Sequence, residues 1–282
     1  MLRVAVLGIP LVGRAMDLPQ FAPGSTDLIR REVSNHLSER TRDFGMRVEV
    51  RDLGEMTPNE RRLTELRRTM AEDLLYRMPR GLDREQLSRM QYSRRLRELL
   101  AAYGRRLAKL SRTYDLLLVV GGNHAAALPL YAVPGRVARF DAHTDADENP
   151  LLRNTSYVYH AVKEGGLKKP GLVTHYSAEH YSVKRPQEPR INLGSPEQAL
   201  SAEAHVVDID VDALHRKYET ATYETDAMLV SQFGPVVMRS APKIVGVFEY
   251  YPHADKHGVG MRFIKAIALQ ALKVRARKLA GK

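Results

Sequence analysis

A chain of 282 residues with 44% hydrophobic and 27% charged residues has the composition of a globular protein, long enough for one large α/β domain or two modest ones. Without cysteine, disulfides and thiolate metal sites are excluded, and no apolar run approaches the ~18 to 20 residues that cross a bilayer. The net charge of +11, carried mainly by arginine, fits attraction to polyanions or an Arg-rich solvated surface laced with ion pairs; no nucleic-acid module is recognisable, which favours the solvated surface.

The N-terminal “MLRVAVLGIPLVG” lacks the layout of a signal peptide and reads as a strand, so a soluble cytoplasmic protein is the expectation. Within it, “LRVAVLGIP” is a β-branched run closed by Gly and Pro, a buried strand followed by a loop. “GSTDLIRREVSNHLSER” reads as a helix, with Ser25 or Thr26 as N-cap and Leu28, Val33 and Leu37 near helical spacing. “MRVEVRDLG” alternates like a second strand. From Asn59 to Arg112 the pattern is helical, with breaks expected at “MPRGLD” and near “AYGRR”. Leu63, Leu66, Met70, Leu74 and Leu75 form an apolar stripe there, so the excursion is expected to pack outside, away from the strand ends, as a candidate subunit contact.

“DLLLVVGG” is a continuous apolar run ending in paired glycines, as in strands buried on both faces of a parallel sheet. Further strands are expected at “RVARFDAH”, “GLVTHYS”, “AHVVDIDVD” and “KIVGVFEYY”, followed by a helix in “GVGMRFIKAIALQALKVRARKLAGK”. Strands alternating with helices predict a doubly wound, mostly parallel sheet with helices on both faces. With no linker or repeat, residues 1–282 read as a single domain.

Polar residues gather where the predicted strands end. “GGNH” closes one strand, “FDAHTDADENP” ends the next, “DIDVD” a later one and “FEYYPHAD” the last. Acids and imidazoles from four strands thus converge on the rim where such sheets bind ligands. Buried carboxylates require a cation to offset their desolvation. Positions i, i+2 and i+4 of a strand share a face, which lets Asp141, His143 and Asp145 act together; Asp208, Asp210 and Asp212 alternate likewise. With His124 they form a mixed N/O donor set suited to Mn2+ or a similar divalent ion, and bridging carboxylates hold two ions about 3.5 to 4 Å apart.

The order Gly-Gly-x-His, Asp-Ala-His-x-Asp, Asp-x-Asp and a final Glu resembles the ureohydrolase family, which includes arginase and agmatinase. “APGSTDLIRREV” is similar to that family's Gly-Pro-x-x-Ile-Arg segment, and “HAVKEGGL” to its His-containing helix start. The resemblance spans nearly the whole chain and implies a three-layer α/β/α, arginase-like fold with two Mn2+ per chain. One ion would be held by His124, Asp141, Asp145 and Asp210, the other by His143, Asp141, Asp210 and Asp212, with Asp141 and Asp210 bridging. The family motif Asp-x-Asp-x-x-Asp-Pro matches from Asp210, with His215 and Arg216 replacing Asp-Pro and Asp208 in the place of a serine; a register using Asp208 and Asp210 is the alternative. Asn123 stands where the family has Asp. A homo-oligomer, trimer or hexamer, is also implied.

The chemistry the resemblance implies is hydrolysis of a guanidino compound to urea and an amine. Two divalent ions would make water nucleophilic near neutral pH. Asp145 would orient that water, and Glu249 would pair with the guanidinium through charge-assisted hydrogen bonds. His160 would protonate the leaving amine, with His175 or His180 as other candidates. The segment Asp147 to Ser156 would cover the substrate tail, with Asn154 and Ser156 as polar contacts. Asp147 and Glu148 favour a cationic tail, as in agmatine; Arg153 favours a carboxylate, as in arginine or guanidinobutyrate. Two acids against one base tip the balance slightly to agmatine. The rival is a noncatalytic metal-binding protein of the same fold, serving assembly or regulation.

Overall fold

Parallel β-strands alternate with helices in the computed structural model, which describes residues 1–9, 25–56, 84–122, 124–141, 157–163, 173–176, 191–193, 204–211, 241–250, 252, 255 and 257–281. The strands are β1 (Leu2–Ile9), β2 (Val48–Glu55), β3 (Leu116–Gly121), β4 (Val137–Phe140), β5 (Val173–Tyr176), β6 (Ile191–Leu193), β7 (Val206–Asp210) and β8 (Ile244–Phe248). The α-helices are α1 (Ser25–Arg40), α2 (Arg84–Thr113), α3 (Tyr157–Lys163) and α4 (Val259–Leu279), and a 3-10 segment, His124–Ala132, links β3 to β4. The sheet order is β2-β1-β3-β8-β7-β4-β5-β6, and every pairing is parallel. All carboxyl ends therefore open on one rim. The four strands whose ends carry the polar motifs, β3, β8, β7 and β4, are consecutive neighbours at its centre.

Alternate residues of a strand face opposite ways, and different helices fill the two faces. Leu2, Val4, Leu118, Phe140, Ile209 and Val247 pack with Val33 and Leu37 of α1 and Phe263, Ile267 and Leu272 of α4. On the other side Leu7, Val119, Val137, Val206 and Phe248 pack with Leu100, Tyr103 and Leu107 of α2, Ala126 and Leu130 of the 3-10 segment, and Tyr157 of α3. Both faces of a parallel sheet must be covered, and the outcome is the expected α/β/α sandwich. Among the described residues no helix is long and apolar enough to cross a membrane.

Several local expectations are corrected. Leu28 is 47% exposed, and Ile29 takes its place in the core with Val33 and Leu37, four residues apart. Its neighbour Arg30 is buried and pairs with Asp27 and Asp52, tying α1 to β2. Helix α2 runs unbroken through “AYGRR”. Gly104 serves close packing there: a Cβ would lie 2.5 Å from Ala132 Cβ, so glycine lets α2 approach the 3-10 segment. “HAVKEGGL” does not start its helix, because α3 already begins at Tyr157. Strand β6 was not anticipated; three residues are too few to show alternation. The stripe from Leu63 to Leu75 and the break at “MPRGLD” lie outside the described residues.

Two glycines shape the ground beneath the rim. A Cβ on Gly121 would lie 2.5 Å from Phe248 Cδ1, and one on Gly246 would lie 2.5 Å from Leu130 Cδ1 and 2.6 Å from Phe248 Cε2. The Phe248 ring occupies that space and stacks on His124, with centroids 5.5 Å apart and planes at 22°. Gly121→Ala is expected to lower the thermal midpoint through an overpacking cost of about 1 to 3 kcal/mol and to displace His124 through Phe248. A calorimetric midpoint equal to wild type would contradict this packing.

Candidate metal centre

Strand register sets two successive rows of charged side chains on the face covered by the 3-10 segment. In the lower row Arg139 of β4 is directly opposite Asp208 of β7, which is opposite Gly246 of β8. Two residues further toward the rim, Asp210 is opposite Phe248, and Asp141 follows the last residue of β4. Since side chains two apart share a face, the acids of the upper row stand above the pair below. His124, at the start of the 3-10 segment, reaches both rows. Arg139, Asp141, Asp208, Asp210 and His124 are all buried.

The two nitrogens of His124 meet different surroundings. Nδ1 lies 2.8 Å from Asp141 Oδ2 and 2.6 Å from Asp210 Oδ2. Nε2 lies 3.2 Å from Asp208 Oδ1 and 2.9 Å from the Tyr157 hydroxyl. Tyr157 in turn donates to Asp208 Oδ2 at 3.1 Å and accepts from Arg139 Nε at 2.6 Å. Its single proton is thereby committed, so it can only accept from His124, and Nε2 carries a proton. Nδ1 faces two carboxylates. Such an arrangement requires positive charge at that point, whether a proton or a metal ion.

Tyr131 donates to Asp208 Oδ2 at 2.8 Å, and Arg139 Nη2 pairs with Asp141. Burial pushes the Asp208 carboxyl up, but the His124 charge and hydrogen bond, the Arg139 guanidinium and the Tyr131 hydroxyl outweigh it and hold Asp208 below its ordinary value. Burial, reinforced by the charge of Asp208, raises Tyr131 well above its ordinary value, so it remains a donor. His124, Asp141 and Asp210 present ligand atoms that all lie within 4.8 Å of one another. One imidazole nitrogen with carboxylate oxygens is a fitting donor set for a divalent ion.

Glu249 sits just beyond β8, buried, with its backbone in the left-handed region at φ 57. A non-glycine residue there stores strain on the order of 1 to 3 kcal/mol and persists only where its surroundings hold it. Its N–H donates to Gly122 O at 2.7 Å, and its Oε1 accepts from the backbone N–H of His124 at 3.0 Å. The carboxylate is thus anchored to the residue that presents Nδ1.

His160 is buried in α3, one turn after Tyr157, and its Nδ1 lies 3.2 Å from Arg97 Nη1 of α2. Arginine only donates, so Nδ1 accepts and the ring proton sits on Nε2. His175 lies within β5, the register partner of Arg139. Sequence reasoning missed Arg139, Tyr131 and Tyr157. The available signal was Arg139 itself, an arginine inside an apolar strand and in phase with Asp141. His143, Asp145, Asp147, Glu148, Arg153, Asn154, Ser156, His180, Asp212, His215, Arg216 and Asn123 lie outside the described residues.

No protein-family model and no curated protein matches the chain. Among solved structures it is similar to a hypothetical agmatinase from Burkholderia thailandensis, with TM-score 0.69 and 18% identity over 100% of this chain and 88% of that one. It is also similar to formimidoylglutamase from Bacillus subtilis, with TM-score 0.68 and 13% identity over 98% and 88% of the two chains. A third similarity is to arginase from Medicago truncatula, with TM-score 0.58 and 16% identity over 96% and 86%. The chain therefore has the α/β fold of the solved agmatinase, formimidoylglutamase and arginase structures.

Proposed function

We propose that this chain is a metal-dependent hydrolase that cleaves a guanidino compound, releasing urea and an amine. The observation that carries the proposal is His124, with Nδ1 turned to Asp141 and Asp210 and its backbone N–H held by Glu249. The fold similarity to solved agmatinase and arginase structures supports it. Two Mn2+ ions are the proposed cofactor, held by His124, Asp141 and Asp210 with His143, Asp145 and Asp212. The Asp210–Asp212 register is preferred because Asp208 is already engaged with His124 Nε2, Tyr131 and Tyr157. When bound, such ions supply a water that is nucleophilic near neutral pH.

The chain's own residues do the rest. Glu249 pairs with the planar guanidinium, whose parallel N–H donors suit a carboxylate. Its anchoring to Gly122 and His124 fixes that carboxylate before substrate arrives, so little reorganisation accompanies binding. Asp145 holds the attacking water by accepting its hydrogen bond. Water adds oxygen to the guanidinium carbon, the bond from carbon to the amine nitrogen breaks, and the amine takes a proton. His160 is the proposed donor, as the imidazolium formed when it takes up a proton of the attacking water, which it then passes to the amine. Asp147, Arg153, Asn154 and Ser156 are proposed to contact the substrate tail, with agmatine slightly favoured over arginine or guanidinobutyrate. A cytoplasmic homo-oligomer completes the proposal, and light scattering would distinguish it from a monomer.

The test is urea release by the Mn2+-loaded protein with agmatine, arginine and guanidinobutyrate. Metal-dependent urea from one of them is the expected result. No urea from a protein that does bind Mn2+ would favour the noncatalytic assembly role.

A further inference from the structure

We propose that Asp208, with Arg139 as its counter-charge, is a positioning residue that fixes which nitrogen of His124 is presented to a metal ion; this rests on the metal reading above. Asp208 is one row too deep to share the Nδ1 side with Asp141 and Asp210, and it meets Nε2 instead. It is fully buried, where an uncompensated carboxylate is costly. Compensation is built into the register. Arg139 is its direct cross-strand partner, with Nε 3.9 Å from Oδ2, and Tyr131 and Tyr157 both donate to that same oxygen.

The network is directional. Arg139 donates to the Tyr157 oxygen, Tyr157 sends its proton to Asp208, and both Asp208 Oδ1 and the Tyr157 oxygen are left as acceptors facing Nε2. Nε2–H satisfies them, and Nδ1 keeps the lone pair a cation needs. A carboxylate on the far nitrogen also makes the near nitrogen a better donor to metal. Remove the charge of Asp208, and the tautomer with Nδ1–H becomes competitive, because Asp141 and Asp210 stand within reach to accept that proton. The proton and the ion would then contend for one place. Arg139 carries a second task, since its Nη2 also pairs with Asp141 and so couples the two rows.

Mn2+ binding by titration calorimetry, on wild type, Asp208→Asn, His124→Ala and the double variant, tests this. Asparagine keeps the shape and an acceptor oxygen but removes the charge. Asp208→Asn is expected to raise the Mn2+ dissociation constant about ten- to a hundredfold in the wild-type background. In the His124→Ala background it should change affinity by no more than about twofold, because the imidazole through which it acts is gone. Asp208→Ser, a smaller uncharged replacement, should weaken binding in the same direction, which guards against one variant failing to fold. An equal loss in both backgrounds, or wild-type affinity in both single Asp208 variants, overturns the positioning role alone. A wild type that binds no Mn2+ overturns the metal reading and this role with it.

Discussion

Glu249→Gln is expected to keep metal binding while lowering kcat/KM for guanidine hydrolysis about ten- to a hundredfold. Glutamine retains an oxygen that can accept from the His124 N–H, the 3.0 Å bond that anchors residue 249, so the rim should keep its shape. What disappears is the charge. Hydrogen bonds to charged groups are worth about 1.5 to 3 kcal/mol, and each 1.36 kcal/mol is roughly tenfold in rate. The strained backbone at this residue fits the same picture, since strain is retained where the surroundings fix a group for its task. Parallel measurements of Mn2+ affinity and urea release check the expectation. Loss of metal in Glu249→Gln, or full activity toward every compound the wild type hydrolyses, would remove Glu249 from substrate binding.

Asp210→Asn should fail in a different way, losing metal and activity together. Asp210 lies 2.6 Å from His124 Nδ1 on the side where the ion would sit, whereas Asp208, two residues earlier on the same face, contacts only the Nε2 side of that ring. Removing a ligand's charge should cost more affinity than the ~10 to 100-fold typical of an outer hydrogen-bond partner. The ranking Asp210→Asn worse than Asp208→Asn, read by calorimetry, is the expected outcome. The reverse order would mean that the lower row, not the upper, holds the ion.

That contrast shows what could and could not be read from the residues alone. “DIDVD” announces acids on one face of a strand end, but all three aspartates look alike in one dimension. Only the register distinguishes them, by setting Asp208 against Arg139 and Asp210 against Phe248. Arg139 escaped notice because arginine is rarely buried, and a cross-strand partner some seventy positions away carries no local signature. The strands were legible where both faces are buried: “DLLLVVGG” has no alternation to hide, and it forms β3. Gly104 misled in the opposite sense. In a helical pattern glycine reads as a break, yet here it serves the close approach of α2 to Ala132. Tyr157 was passed over because nothing in “TSYVYH” says which of two tyrosines turns toward His124; the helical start at Tyr157 decides it.

The most direct test of the metal centre is anomalous diffraction from crystals of the protein equilibrated with Mn2+. A strong anomalous peak is expected within bonding distance of His124 Nδ1, Asp141 Oδ2 and Asp210 Oδ2, with Asp208 still hydrogen-bonded to Nε2 and a second peak nearby for the second ion. Saturating Mn2+ with no peak at the three donors, and His124 still facing both carboxylates, would mean that a proton holds that place and that the rim is not a metal centre.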